Sequence, residues 1–132
     1  MKLSRTVAYA IQATVQLGAA GMGATVPSRK LAEEGKIPDR FLLQILRGLV
    51  AQGLLHSTRG VVGGYSLARK PEDISLLDII EAIEGPVNFE LPQGTSGSAS
   101  LQRALKEVSG GVKRELAQLR LSHLMPKEKK AK

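Results

Sequence analysis

The chain has no cysteine and no tryptophan among its 132 residues. Without thiols it can hold no disulfide, no thiol redox switch, no cysteine nucleophile and no thiolate-bound zinc or iron–sulfur centre. Aromatics are scarce: Tyr9, Phe41, Tyr65 and Phe89 are the whole set. A core must therefore be aliphatic, and a 42% apolar fraction is enough to build one. No apolar run approaches the roughly 20 residues a membrane span needs. The opening "MKLSRTVAYA" is too interrupted by polar residues for a secretory signal. The expectation is one soluble, cytoplasmic domain, or one domain with an appended element, without membrane contact.

Charge is present in excess and unevenly placed. The net charge is +7. Residues 1–50 carry seven Lys/Arg against three acids, residues 51–91 three against six, and residues 92–132 nine against three. A basic excess split by an acidic middle suits a polyanion-binding face. The segment "PKEKKAK" alone supplies four of the cations and adds non-specific attraction to DNA.

The apolar spacing predicts mostly helices. Over residues 4–20, Val7, Ala10, Ile11, Thr14, Val15 and Gly18 form one stripe, with Ser4 as N-cap and Gly21 and Gly23 as the stop. Pro27 and Ser28 open a short helix that Gly35 closes, with Leu31 and Ala32 inward. In "DRFLLQILRGLVAQGLL", Phe41, Leu42, Ile45, Leu46, Leu49 and Val50 keep the helical period up to Gly53. A short helix, a turn and a longer helix make a helix-turn-helix candidate. "LLHSTR" and "YSLAR", joined by "GVVGG", read as two strands of a hairpin. A hairpin directly after such a helix pair is a wing, tipped here by Arg59. In "PEDISLLDIIEAIEGP", Ser75 and Asp78 form a relative of the capping box, and Gly85–Pro86 end the helix. Its acids, Asp78, Glu81 and Glu84, point this element away from a polyanion. "PQGTSGSAS" is aperiodic and reads as a loop. Beyond it, Leu101, Leu105, Val108, Val112, Leu116 and Leu119 form a coiled-coil-like seam whose burial calls for a second copy of the chain. Gly110 and Gly111 mark either a break in that helix or a close helix–helix approach.

The stretches "MKLSRTVAYAIQATVQL" and "VPSRKLAEEGKIPDRFLLQILRGLVAQGLLHSTRGVVGGYSLARKPEDISLLDIIEAIEG" resemble the Rrf2 family of bacterial winged-helix transcription regulators. The most specific part is "RGVVGGYSLAR" followed by "ISLLDIIEAIEG". The resemblance implies a mainly α fold with a small β-hairpin wing. It divides the chain into a winged helix-turn-helix domain at 1–86, a flexible loop at 87–100, a dimerisation helix region at 101–125 and a basic tail at 126–132. It implies a homodimer that binds double-stranded DNA at a pseudo-palindromic operator, usually as a repressor. Carried over by position, Pro38, Asp39, Arg40 and Gln44 lie in the major groove near base edges and phosphates, where Gln44 suits adenine and Arg40 guanine or phosphate, and Arg47 belongs to the same DNA-binding set. Lys2, Ser4, Arg5, Ser28 and Arg29 reach phosphates. Arg59 enters the minor groove beside Ser57. Gly60, Gly63 and Gly64 shape the wing, and Tyr65 packs it onto the domain.

Departures from the family pattern narrow this reading. Many members hold an iron–sulfur cluster on three cysteines of the loop before the dimer helix. Here that loop is "LPQGTSGSAS", and where some members offer an acidic ligand on the first helix this chain has Ala8. His56 falls on the first wing strand and His123 at a helix C-terminus, so neither is expected to bind a metal. No cofactor is expected, and the signal is assigned to a small-molecule or protein effector. Pro38 stands where relatives often carry a serine cap, which would let Asp39 cap the helix instead. Leu43 replaces a polar residue on the reading helix. A second reading, a winged helix that docks a partner enzyme, draws on Leu43 and the acidic segment. An enzyme has no support: there is no P-loop and no histidine beside a nucleophile–acid pair.

Overall fold

A computed structural model describes residues 2–61, 63–95 and 97–126. The first helix, α1 (Arg5–Ala20), starts where the Ser4 hydroxyl accepts the Val7 N–H at 3.1 Å. It stops at Gly21, whose φ of 99° is open to glycine. Its buried face is Val7, Ala10, Ala13, Thr14, Leu17 and Gly18, while Ile11 and Val15 are only half-buried. The stripe is thus rotated from the one the spacing predicts, because α1 is covered from several sides by the other helices.

Helix α2 (Ser28–Gly35) follows, and Gly35 is not what turns the chain. Lys36 does so, in the left-handed region at φ 53°. Gly35 instead faces α1: the end of the Gln16 side chain lies close to where its Cβ would be, and Gln12 Nε2 donates to its carbonyl at 2.8 Å. Helix α3 (Asp39–Ala51) buries Leu42, Ile45, Leu46 and Leu49. Pro38 is its N-cap and offers no side-chain acceptor. Asp39 is already the first helical residue and does not cap the helix as expected; its charge there favours the helix dipole.

The wing is the antiparallel pair β1 (Leu55–Thr58) and β2 (Gly64–Leu67), with Leu55 opposite Leu67 and Thr58 opposite Gly64. Val26, between α1 and α2, extends the pairing on the other side of β2. Its N–H and carbonyl both bond Tyr65 at 2.9 Å. Gly64 sits against that same Val26 carbonyl, where any Cβ would collide, and has φ 155°.

After a 3₁₀ turn at Pro71–Asp73 comes α4 (Leu76–Glu84), opened by a complete capping box. The Ser75 hydroxyl accepts the Asp78 N–H at 3.0 Å, and the Ser75 N–H donates to Asp78 Oδ2 at 2.9 Å. The segment after α4 is tied down at two points: Val87 N–H donates to Glu81 and Phe89 N–H to Ser109 Oγ. Helix α5 (Ala99–Gln118) runs unbroken through Gly110 and Gly111, which settles one of the alternatives the glycine pair left open.

The chain then extends briefly before α6 (Leu121–Leu124). Leu76 N–H donates to the Leu119 carbonyl and Leu121 N–H to the Ile74 carbonyl, both at 2.7 Å. This bridge brings Leu121 into the main core, fully buried, with Met125 against Gly18 of α1. The winged unit is therefore completed by residues beyond position 86. His123 lies in the last turn of the short α6, as expected, and its Nδ1 also accepts the Arg120 N–H at 3.1 Å. Beyond Pro126 the lysine-rich segment lies outside the described residues. No described helix is long and apolar enough to cross a membrane.

Leu121→Ala should lower the unfolding free energy by about 2–5 kcal/mol, the range for a leucine emptied from a packed core. The fully exposed Val61→Ala should change it by less than about 0.5 kcal/mol. Urea titration followed by circular dichroism separates the two; equal effects would show that the C-terminal segment does not complete the core.

Candidate nucleic-acid interface

With one face of α3 buried, its period of 3.6 residues turns Asp39, Arg40, Leu43, Gln44 and Arg47 outward. Leu43 is 43% exposed, an apolar side chain set among polar ones. Phe41 is 37% exposed and not the core residue its spacing suggested. It stands beside the core with its ring 6.4 Å from that of Tyr9, and the Arg40 guanidinium lies 5.1 Å from the Phe41 ring centre. That cation–π contact holds Arg40 along the helix surface. Gln44 lies at the α4 side of the face and lines a groove with Thr6, Gly48 and Glu84.

The starts of α2 and α3 share an unusual property. Both have proline as N-cap and neither has a side-chain cap, whereas α1, α4 and α5 are each capped by a serine hydroxyl. Proline has no side-chain oxygen to offer; the Pro27 and Pro38 carbonyls take the Lys30 and Phe41 amides, and the first two amides of each helix face outward to an external anion. Ser28 and Arg29 form the first turn of α2, Ser28 half-buried and Arg29 exposed. Sequence reasoning named Ser28 but missed the shared feature, although Pro27 and Pro38 were its signal.

Ser4 is committed elsewhere. Its oxygen caps α1 and its proton is donated to Glu84 Oε2 at 3.2 Å. Lys2 and Arg5 remain exposed beside it. The acids of α4 do not all face away from the helix pair. Asp78 pairs with Arg69 at 3.7 Å and Glu81 with Lys113 at 4.0 Å, but Glu84 lines the groove shared with Gln44. Those two are the ion pairs among the described residues, and none of Lys2, Arg5, Arg29, Arg40, Arg47 or Arg59 takes part.

On the wing, Ser57, Arg59 and Gly60 are exposed and Val61 is fully so. Gly60 has φ 123°, and its carbonyl accepts the Gly63 N–H at 3.0 Å. Gly63 and Gly64 are half-buried against backbone of this chain itself. Tyr65 is half-buried and packs on the core. The seam of α5 is divided: Leu105, Val112 and Leu116 are half-buried against their own chain. Leu101, Val108 and Leu119 are exposed, Val108 by 52%.

Comparison with known proteins gives this arrangement a context. The family model Rrf2, described as an iron-dependent transcriptional regulator, matches residues 3–127. A Mycobacterium tuberculosis protein is 41% identical over 87 residues, 66% of this chain and 54% of its own. The chain thus spans about half the length of that curated relative. The transcriptional regulator IscR of Cereibacter sphaeroides is 36% identical over 107 residues, covering 79% of this chain and 69% of its own. Among solved structures, the Bacillus subtilis global cysteine regulator CymR superposes with a TM-score of 0.78 at 25% identity, over 94% of this chain and 95% of the other. The T. potens IscR structure gives 0.74 at 28% identity, over 94% and 85%.

The iron named in the family description finds no donor set here. The sequence has no cysteine, and no group of three His, Asp or Glu side chains converges among the described residues. His56 is on β1 and His123 on α6. A thiolate-held iron centre therefore has no ligands in this sequence. The fold is shared: helix pair, wing and C-terminal helix match the solved regulators CymR and IscR, and the chain belongs to the Rrf2 family of transcriptional regulators.

Proposed function

We propose that the chain is a homodimeric, sequence-specific DNA-binding repressor that works in the cytoplasm without an iron–sulfur cluster. The observation that carries this reading is the outer face of α3, where Arg40, Gln44 and Arg47 stand exposed and outside any described ion pair. In this reading α3 lies in the major groove, with Gln44 and Arg47 at base edges and Leu43 against a thymine methyl. The uncapped start of α2, with Ser28 and Arg29, sits on a phosphate, as do Lys2 and Arg5, while Pro38 and Asp39 open α3 at the major groove. Arg59, carried by Ser57, Gly60, Gly63 and Gly64 on a wing that Tyr65 anchors, follows the minor groove.

The partner for the exposed edge of α5 is a second copy, joined through Leu101, Val108 and Leu119. Leu105, Val112 and Leu116 then support that helix from their own side. Two reading heads related by a two-fold axis require a pseudo-palindromic operator. The division proposed is 1–86 for the reading head, whose core is closed by Leu121 from outside that range, 87–100 for the connection, 101–125 for dimerisation and 126–132 for a basic tail. The regulatory signal is a small molecule or a protein. Leu43 also favours a second reading, a winged helix docking a partner enzyme, in which Arg59 is dispensable.

Selection of genomic fragments on the purified protein should yield a common palindromic site. Affinity for it should fall by about 10³–10⁵-fold between roughly 50 and 200 mM salt if six to ten phosphates are contacted. Arg47→Ala and Arg59→Ala should each weaken specific binding by about 5–150-fold, measured by fluorescence anisotropy. Unchanged affinity in both variants would favour the docking module.

Sedimentation should find the 14.1 kDa chain as a dimer. The double variant Leu101→Glu with Val108→Glu should sediment as a folded monomer with at least tenfold weaker operator binding. A wild-type monomer at micromolar concentration would overturn the assembly.

A further inference from the structure

We infer that the cleft between residues 88–91 and α5 is a binding site for a small amphipathic carboxylate, an apolar body ending in one acid group. The cleft has a volume of about 600 Å³, within the usual span for small-molecule sites. Phe89 and Leu91 form one wall and Leu105 the other, which calls for an apolar ligand rather than a simple inorganic ion. The hydroxyl nearest them is already satisfied: Ser109 Oγ accepts the Phe89 N–H at 2.7 Å and donates to the Leu105 carbonyl at 2.9 Å. What remains to orient a ligand is charge. Lys106 and Lys113 line the cleft with Glu90, and since Lys113 also has Glu81 beside it, Lys106 is the cation left to meet an acid group. Lys106 is in neither described ion pair, and Lys113 is held only at 4.0 Å from Glu81.

Gly110 supplies an independent argument. Glycine inside a helix costs about 1 kcal/mol relative to alanine. A Cβ at Gly110 would meet nothing closer than the Arg114 side chain at 3.5 Å, so no packing within this chain demands its absence. Gly110 lines the cleft, and the missing side chain leaves room there. Gly111, about 100° further round the helix, does not line it. The two glycines therefore have separate reasons for being there, and the second falls toward the exposed edge assigned to the partner copy. The carboxylate site does not depend on DNA binding.

The test titrates 4-phenylbutyrate, and in parallel the neutral 4-phenylbutanamide, into the ¹⁵N-labelled full chain, followed by two-dimensional amide spectra. The acid should give saturable shifts concentrated in residues 88–91 and 102–113, and the amide should bind at least tenfold more weakly. Gly110→Leu, which fills the cleft, should abolish the saturable shifts. Lys106→Gln combined with Lys113→Gln should weaken the acid at least tenfold while leaving the spectrum elsewhere intact, which keeps the test valid if the leucine variant misfolds. Absent shifts, shifts that map elsewhere, or equal binding of acid and amide would overturn the site.

Discussion

The burial of Leu42, Ile45, Leu46 and Leu49 fixes the rotation of α3, and most of what the molecule presents follows from it. A turn of one residue about the helix axis, roughly 100°, would carry Arg47 toward the core and Leu46 out of it. Each such exchange sacrifices about 1.5–3 kcal/mol of apolar burial and adds the desolvation of a charge. The outward set of Arg40, Leu43, Gln44 and Arg47 is therefore held by leucines and an isoleucine that contact no ligand. Tyr9 and Phe41 add an aromatic shoulder on which Arg40 rests.

Ser75 performs a comparable task at the other end of the unit. Its hydroxyl and amide start α4 through Asp78, which in turn pairs with Arg69 just after the wing. The same residue faces Arg120 across the short bridge that closes the C-terminal segment onto the core. One buried serine thus joins the exit of the wing, the start of α4 and the return of the chain after α5. The Val26–Tyr65 pair does the same for the other side of the wing, linking it to the entry of α2. The hairpin is held on both flanks and does not hang free of the helix pair.

Much of this was legible in the residues. Helix periodicity placed α1 to α4 closely, helped at α1 and α4 by serine caps and glycine stops, which are local chemistry. The hairpin was legible from its glycines. Long-range pairing was not: a single bonded residue such as Val26, or the two-bond bridge at Ser75 and Arg120, leaves no periodic trace. Phe41 was misjudged because periodicity reports a helical stripe but not how wide the core beneath it is. Gly35 was misread since a glycine at a helix end can serve the turn or a neighbour's approach, and only the Gln16 side chain decides between them. Ser4 shows the limit for a site residue. Its type and position suit a phosphate, yet its proton goes to Glu84, eighty residues away.

The return of Leu121 to the core carries a consequence for biosynthesis. A reading head contained within the first 86 residues could fold while the rest of the polypeptide was still being made, in the usual N-terminal-first order. Here the space beside α1 stays empty until residue 121 has emerged from the ribosome. A chain arrested before that point leaves the apolar surface that Leu121 covers open to water.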